Sequence, residues 1–155
     1  MLKFTIPGRG ELNAENVVFD YNGTIAVDGI MSRDIKEMIN ELAGHAKVYI
    51  LTADTYGTVK SQCEDLNVTL KTFPRDNAAV SKRDIVKALE GGSICVGNGY
   101  NDVEMFKICD LSIAIIGQEG CCGKLLSFAD IVVNCPEDAF MLLLNPDRVK
   151  ATLRS

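Results

Sequence analysis

A single histidine and the lack of any Cys-x-x-Cys pair leave this 155-residue chain without a readable zinc site. No apolar run approaches the roughly 20 residues needed to span a bilayer, so no membrane partner is expected. No opening segment combines a charged stretch, an apolar run and a small-residue cleavage site, which argues against secretion. Cationic side chains are in deficit: 16 Lys and Arg against 21 Asp and Glu give a formal net charge of −5. That deficit excludes a general polyanion binder, because nucleic-acid affinity rests on cations that neutralise phosphates. A small phosphorylated ligand remains compatible, since one lysine, backbone N–H groups and a divalent cation can hold it locally. Linkers, internal repeats and low-complexity segments are missing too. The expectation is one domain over residues 1–155, with one sizeable core.

What is present is ordinary in bulk: 47% hydrophobic, 24% charged and 6% aromatic residues suit a globular protein. The six cysteines fall on apolar strand and helix positions or in loops. They read as reduced thiols in a cytoplasmic protein, with the adjacent Cys121 and Cys122 open to oxidation if exposed.

The organising stretch runs from Asn16 to Thr24. An apolar strand, Val17 to Phe19, enters a loop that opens with Asp20 and continues through Asn22, Gly23 and Thr24. A carboxylate at the carboxyl end of a buried strand sits where open α/β sheets bind ligands, so Asp20 can act as nucleophile, metal ligand or both.

Around that stretch the periodicity predicts alternating strands and helices. Met1 to Ile6 reads as an edge strand and residues 7–10 as a turn leading into the organising strand. Ile25 to Val27 reads as a short extension closed by a turn at Asp28-Gly29. Ile35, Met38, Ile39 and Leu42 mark a helix capped by Ser32 and ended by Gly44, with His45 placed to bond the last carbonyls. Then come a strand over Lys47–Leu51, a helix through Val59, Cys63 and Leu66, a weaker strand over Val68–Phe73 and a helix from about Val80 to Glu90. A strand at Ser93–Val96, a loop at 97–102, a helix through Met105, Phe106 and Cys109, and a strand at Leu111–Ile116 follow. A helix near Lys124–Phe128, a short strand at Ile131–Val133 and a helical tail past Pro136 complete the chain. This alternation implies an α/β fold, a three-layer, doubly wound parallel sheet.

Every strand–helix loop of such a sheet opens on one edge, so Asp20, Thr52 and the loop bearing Asn98 and Asp102 should meet there. Lys82 joins them by helical phase. At 100° per residue, Val86 lies about 40° and Leu89 about 20° from Lys82, whereas Lys87 is about 140° away. Lys82 therefore shares the core-facing stripe and Lys87 faces water.

An Asp, a Thr, a Lys and an Asp-bearing Gly loop, in that order, form a phosphoryl-transfer constellation. The stretches Phe19–Thr24, Leu51–Thr52, Lys82 and Gly97–Asp102 resemble the four motifs of the haloacid dehalogenase (HAD) superfamily of aspartyl-phosphate hydrolases. Residues 82–89, the Gly-x-Gly-x-Asn-Asp loop and the tail from Leu144 to Arg154 resemble its small, soluble, P-type-ATPase-like branch. The resemblance implies a HAD-type Rossmann-like fold, attack by Asp20 on phosphorus, and phosphoryl oxygens held by Thr52 and backbone N–H groups near Ala53, with Lys82 offsetting developing charge. It implies Mg²⁺ on Asp20, the Asn22 carbonyl and the loop carrying Asn98 and Asp102. Only about thirty residues separate Asp20 from Thr52 and Thr52 from Lys82, so no cap domain is expected. A small phosphorylated substrate would meet an open site unless a second copy in a homo-oligomer closed it.

Two positions depart from the pattern. Asn22 stands where most of the superfamily's phosphatases carry a general acid/base Asp, and Asn98 stands where a metal-binding Asp is common. An amide cannot shuttle protons, which predicts slow hydrolysis of ordinary monoesters and a preference for good leaving groups. The alternative is a HAD-like domain that binds a phosphorylated ligand or partner without useful turnover. A dinucleotide fingerprint fails because Asp102 replaces its third Gly, and a P-loop over residues 117–124 fails on glycine spacing. A receiver-like domain would not carry its acceptor Asp on the chain's first main strand.

Overall fold

The computed structural model describes residues 1–54 and 57–155. Its strands are β1 (Leu2–Ile6), β2 (Gly10–Ala14), β3 (Asn16–Asp20), β4 (Lys47–Thr52), β5 (Thr69–Thr72), β6 (Ser93–Gly97), β7 (Leu111–Ile115) and β8 (Ile131–Val133). Its helices are α1 (Arg33–Ala43), α2 (Thr58–Cys63), α3 (Ala78–Lys87), α4 (Val103–Phe106), α5 (Pro136–Leu144) and α6 (Pro146–Leu153).

β3 is a Val-Val-Phe run buried along its whole length, as a strand covered on both faces must be. It pairs in parallel with β4 on one side and β6 on the other, and the six-stranded sheet runs β5-β4-β3-β6-β7-β8. The chain winds outward from β3 through β4 to β5, then returns to the far side of β3 at β6. The order therefore reverses between β3 and β6, and the loops leaving those strands diverge to open a crevice there.

Alternate strand residues face opposite layers. Val17, Phe19, Ile50, Ile94, Val96 and Ile113 pack with α1, α2, α5 and α6, while Val18, Leu51, Cys95 and Ala114 pack with α3 and α4. Phe19 stacks on Phe140 of α5 with ring centroids 4.9 Å apart. Ser32 caps α1, its Oγ accepting the amide of Ile35 at 3.2 Å. The segments between β3 and β4, and between β4 and α3, hold the elements of the basic α/β repeat, and no cap domain is evident among the described residues.

Several elements differ from the periodicity reading. β1 is a strand, but it is not an edge of the main sheet. It pairs with β2 as a separate antiparallel hairpin, Leu2 opposite Ala14 and Ile6 opposite Gly10. β2 escaped notice because Gly-Glu-Leu-Asn-Ala offers only Leu12 and Ala14 to the core. Ile25–Val27 makes isolated bridges rather than a strand, although Asp28 and Gly29 do form the tight turn, both at positive φ as a type I′ turn requires. α2 stops at Cys63, short of Leu66, and α3 starts two residues early, at Ala78. The helix expected near Lys124 is a 3₁₀ segment, Gly123–Phe128. The His45 side chain is exposed without a hydrogen bond among the described residues, and it is the His45 backbone that closes α1 onto Leu42.

Phe140 is fully buried against the central strand. Replacing it with Ala is expected to cost about 3–5 kcal/mol, the usual range for a core aromatic. Urea unfolding would check this, and a loss under 1 kcal/mol would remove Phe140 from the core.

Candidate active site

The site forms at the switch point. Asp20 ends β3, is 9% exposed, and divides its carboxylate between two partners. Oδ1 accepts from Lys82 Nζ at 2.7 Å, and Oδ2 accepts from Thr24 Oγ1 at 3.1 Å. The loop after Asp20 turns tightly because the Tyr21 carbonyl accepts the amides of Thr24, Ile25 and Ala26, which folds Thr24 back onto the carboxylate. Gly23 takes φ +77°, and a Cβ there would run into the Asn98 side chain.

Lys82 rises from the first turns of α3 and is 1% exposed, whereas Lys87 on the same helix is exposed. Its ammonium donates to Asp20 Oδ1, to Asp102 Oδ1 at 2.7 Å and to Asn101 Oδ1 at 2.9 Å. Asp102 is completely buried. Its second oxygen accepts the amides of Asn98 at 3.0 Å and Gly99 at 2.9 Å, so one carboxylate shapes the whole loop after β6. Gly97 is required where that carboxylate passes, since a Cβ would lie 2.4 Å from Asp102 Oδ2. Asn98 Oδ1 lies 3.2 Å from Thr24 Oγ1 and competes with Asp20 Oδ2 for its single proton, which brings the two oxygens around a common neighbour.

One ammonium between two buried carboxylates leaves the trio with a net negative charge. Burial and the charge of Asp102 therefore outweigh Lys82 and Thr24, and the Asp20 carboxyl is pushed up from 3.8 to about 7. Lys82 is held above its ordinary value: burial acts against its charge, but Asp20 and Asp102 prevail.

Thr52 ends β4, is 3% exposed, and its Oγ1 accepts the Asp54 amide at 3.1 Å. Next to it opens a groove of about 490 Å³, whose lining includes Asn22, Ala53, Thr58, Arg75, Ala78 and Asn101. Asn22 is exposed at its mouth. Hydrogen bonds thus join Asp20, Lys82, Asn98 and Asp102 into one network; Asn22 and Ala53 line the groove, and Thr52 precedes Ala53 at the end of β4. Thr24 and Asn101 belong to the network although neither was singled out from sequence. Both lie inside the stretches that carry the resemblance, but their roles depend on how tightly each loop turns.

Hard oxygen donors converge beside Asp20. Its Oδ2 and Asn98 Oδ1 suit a divalent cation by donor chemistry. Asp102 is committed to Lys82 and two amides, a loop-forming arrangement.

No protein-family model matches the sequence. A soluble P-type ATPase-like phosphatase of Methanocaldococcus jannaschii is 31% identical over 114 residues, which is 71% of this chain and 42% of that protein. An uncharacterised protein of the same organism is 49% identical over 61 residues, 39% of this chain and 66% of that one. The chain therefore spans about two fifths to two thirds of the length of these relatives. Among solved structures, one assigned to the HAD family of hydrolases, from Streptomyces avermitilis, aligns with TM-score 0.65 at 17% identity, covering 90% of this chain and 87% of its own. The cobalt-bound deoxy-D-mannose-octulosonate 8-phosphate phosphatase of Haemophilus influenzae aligns with TM-score 0.71 at 13% identity, covering 92% and 94%. At such identities the structural likeness is one of fold. The fold, the ordered motif residues and the phosphatase relative agree. The chain has the fold of the haloacid dehalogenase (HAD) hydrolases. The phosphatase relative is similar to the branch that the sequence motifs resemble.

The raised Asp20 carboxyl gives this site a pH signature. Folded protein binds that proton more tightly than unfolded chain, so the contribution to stability is full below about pH 4 and is lost as pH rises through 7. In chelator, Asp20→Asn is expected to melt higher than wild type at pH 8, with the advantage shrinking as pH is lowered towards 5. Thermal unfolding across that range tests it; a pH-independent difference would contradict the assigned charge balance.

Proposed function

We propose that the chain is a divalent-metal-dependent phosphohydrolase that works through an aspartyl phosphate on Asp20. The observation that carries this reading is the Asp20 carboxylate at the sheet's switch point, bonded to Lys82 and Thr24, with its neighbours Tyr21 and Asn22 lining the groove. Asp20 would attack phosphorus, displace the leaving group and be freed when water cleaves the acyl phosphate. Lys82 offsets charge on the phosphoryl oxygens, while Thr52 and the Ala53 amide orient them. Asp102 holds Lys82 and the loop after β6 in place. The donors for a cation would be Asp20, the Asn22 carbonyl and Asn98, with Asp102 behind them. Bound there, Mg²⁺ would draw Asp20 towards its ionised form and neutralise phosphoryl charge. The cobalt in the octulosonate-phosphate phosphatase supports a divalent ion. Free thiols at all six cysteines accord with a reducing, cytoplasmic setting.

Asn22 cannot protonate a leaving group, so turnover should be slow on ordinary monoesters and faster on acyl phosphates, phosphoanhydrides or aryl phosphates. The two amides, Asn22 and Asn98, favour one other reading: a HAD-fold module that holds a phosphorylated ligand without useful turnover.

Phosphate release from a panel of activated and ordinary phosphates separates the two. The expected result is release that needs both a divalent cation and Asp20, with Asp20→Asn inactive. Silence across the panel, in folded protein with ample Mg²⁺, selects the binding module. Asn22→Asp should raise turnover on ordinary monoesters by at least ~10-fold, towards the range general acids supply. A rate unchanged or lower would show that the hydrolytic step is organised without a proton donor at this position.

A further inference from the structure

The groove beside Asp20 is larger than the phosphoryl group requires. At about 490 Å³ it falls within the range of small-molecule sites, so it can also receive a leaving group. Its lining brings Asn22, Ala53 and Asn101, neighbours of the site residues, together with Thr58, Arg75 and Ala78. With no cap domain evident among the described residues, this lining is what a leaving group would touch.

Arg75 stands in the loop from β5 to α3, the helix that delivers Lys82, so both cations approach from the carboxyl edge of the sheet. Their circumstances differ. Lys82 is buried and already bonded to Asp20, Asp102 and Asn101, which leaves it nothing for a second substrate charge. Arg75 is exposed at the groove. The groove's other ionic lining residue among those described is Asp54, whose Oδ2 accepts the Val59 amide at 3.2 Å. A guanidinium has five donors in a planar fork. It can hold the groove wall and still grip an oxyanion with two parallel bonds.

We propose that Arg75 determines specificity: the groove takes the leaving group, and Arg75 binds a second oxyanion carried on it, a carboxylate or another phosphate. The preferred substrates are then small phosphate esters or anhydrides with one anionic group beyond the phosphoryl group that is transferred. This inference rests on the phosphohydrolase reading for its chemistry, and its test includes an arm that needs no turnover.

The first arm compares phenyl phosphate with its 4-carboxylate derivative, and with pyrophosphate, in wild type, Arg75→Ala and Arg75→Lys. Wild type should prefer both anionic substrates in kcat/KM. Arg75→Ala should erase about tenfold of that preference, mainly through KM, and Arg75→Lys should restore part of it. Arg83→Ala, at a surface arginine bonded to Asp84, should keep the wild-type ratio. A preference for pyrophosphate alone would assign the second oxyanion to phosphate, and one for the carboxylate alone would assign it to carboxylate. The second arm measures calorimetric binding of phosphonoacetate against methylphosphonate, with Mg²⁺ present. Tighter binding of phosphonoacetate that is lost in Arg75→Ala supports the proposal even if no panel substrate turns over. Equal binding of the two phosphonates by wild type, or a preference that survives Arg75→Ala, overturns it even if the enzyme is active.

Discussion

Everything at this site depends on one ammonium group shared between two buried carboxylates. Lys82 reaches Asp20 and Asp102 at 2.7 Å each, and none of the three is more than 9% exposed. Burying charge is tolerable only where it is paired and hydrogen-bonded, so the three side chains constrain one another. Asp102 in turn ties down two amides of the loop after β6, and Asp20 ties down Thr24. The loops after β3 and β6 and the helix α3 are thereby locked into one geometry. The remaining negative charge lies where it would attract a divalent cation, and that cation would offset the charge of a phosphoryl group.

The fold prepares that pairing. A fully buried β3 places Asp20 at the carboxyl edge, and the reversal of strand order between β3 and β6 opens the crevice at that point. The apolar layers on the two faces keep α3 against the sheet, and α3 has the phase that turns Lys82 inward while Lys87 meets solvent. Stability and chemistry are therefore coupled through the same strand: Phe19 stacks into one layer beside the residue that would carry the phosphoryl group.

The parallel sheet, its order of strands and helices, and the inward Lys82 were legible from local pattern. Short apolar runs bounded by Gly and Asp read directly as strands, and helical phase is arithmetic. The errors fall where the local signal is weak. β2 offers two core residues in five, and its hairpin exists because Leu2, Phe4 and Ile6 of β1 pack on the layer holding Val149 of α6. Thr24 and Asn101 were visible as residues but not as partners, since nothing in their spacing says that the Tyr21 carbonyl collects three amides or that Asn101 faces Lys82. Arg75 follows a proline in an unremarkable loop, and only the groove gives it a place.

Sequence alone determined the chemistry on offer: which strand ends carry a carboxylate, a hydroxyl or an amide, and that Asn22 and Asn98 stand where acids are more common. These are properties of residue type and local periodicity, and they survive without knowing any long-range contact. Tertiary structure decided how those groups share charge. That Asp102 supports the lysine and the loop, that Asp20 holds its proton towards pH 7, and that a groove extends past Ala53 to Arg75 all depend on burial and distance. Those quantities arise only when segments as far apart as Asp20, Lys82 and Asp102 are packed into the same dry crevice.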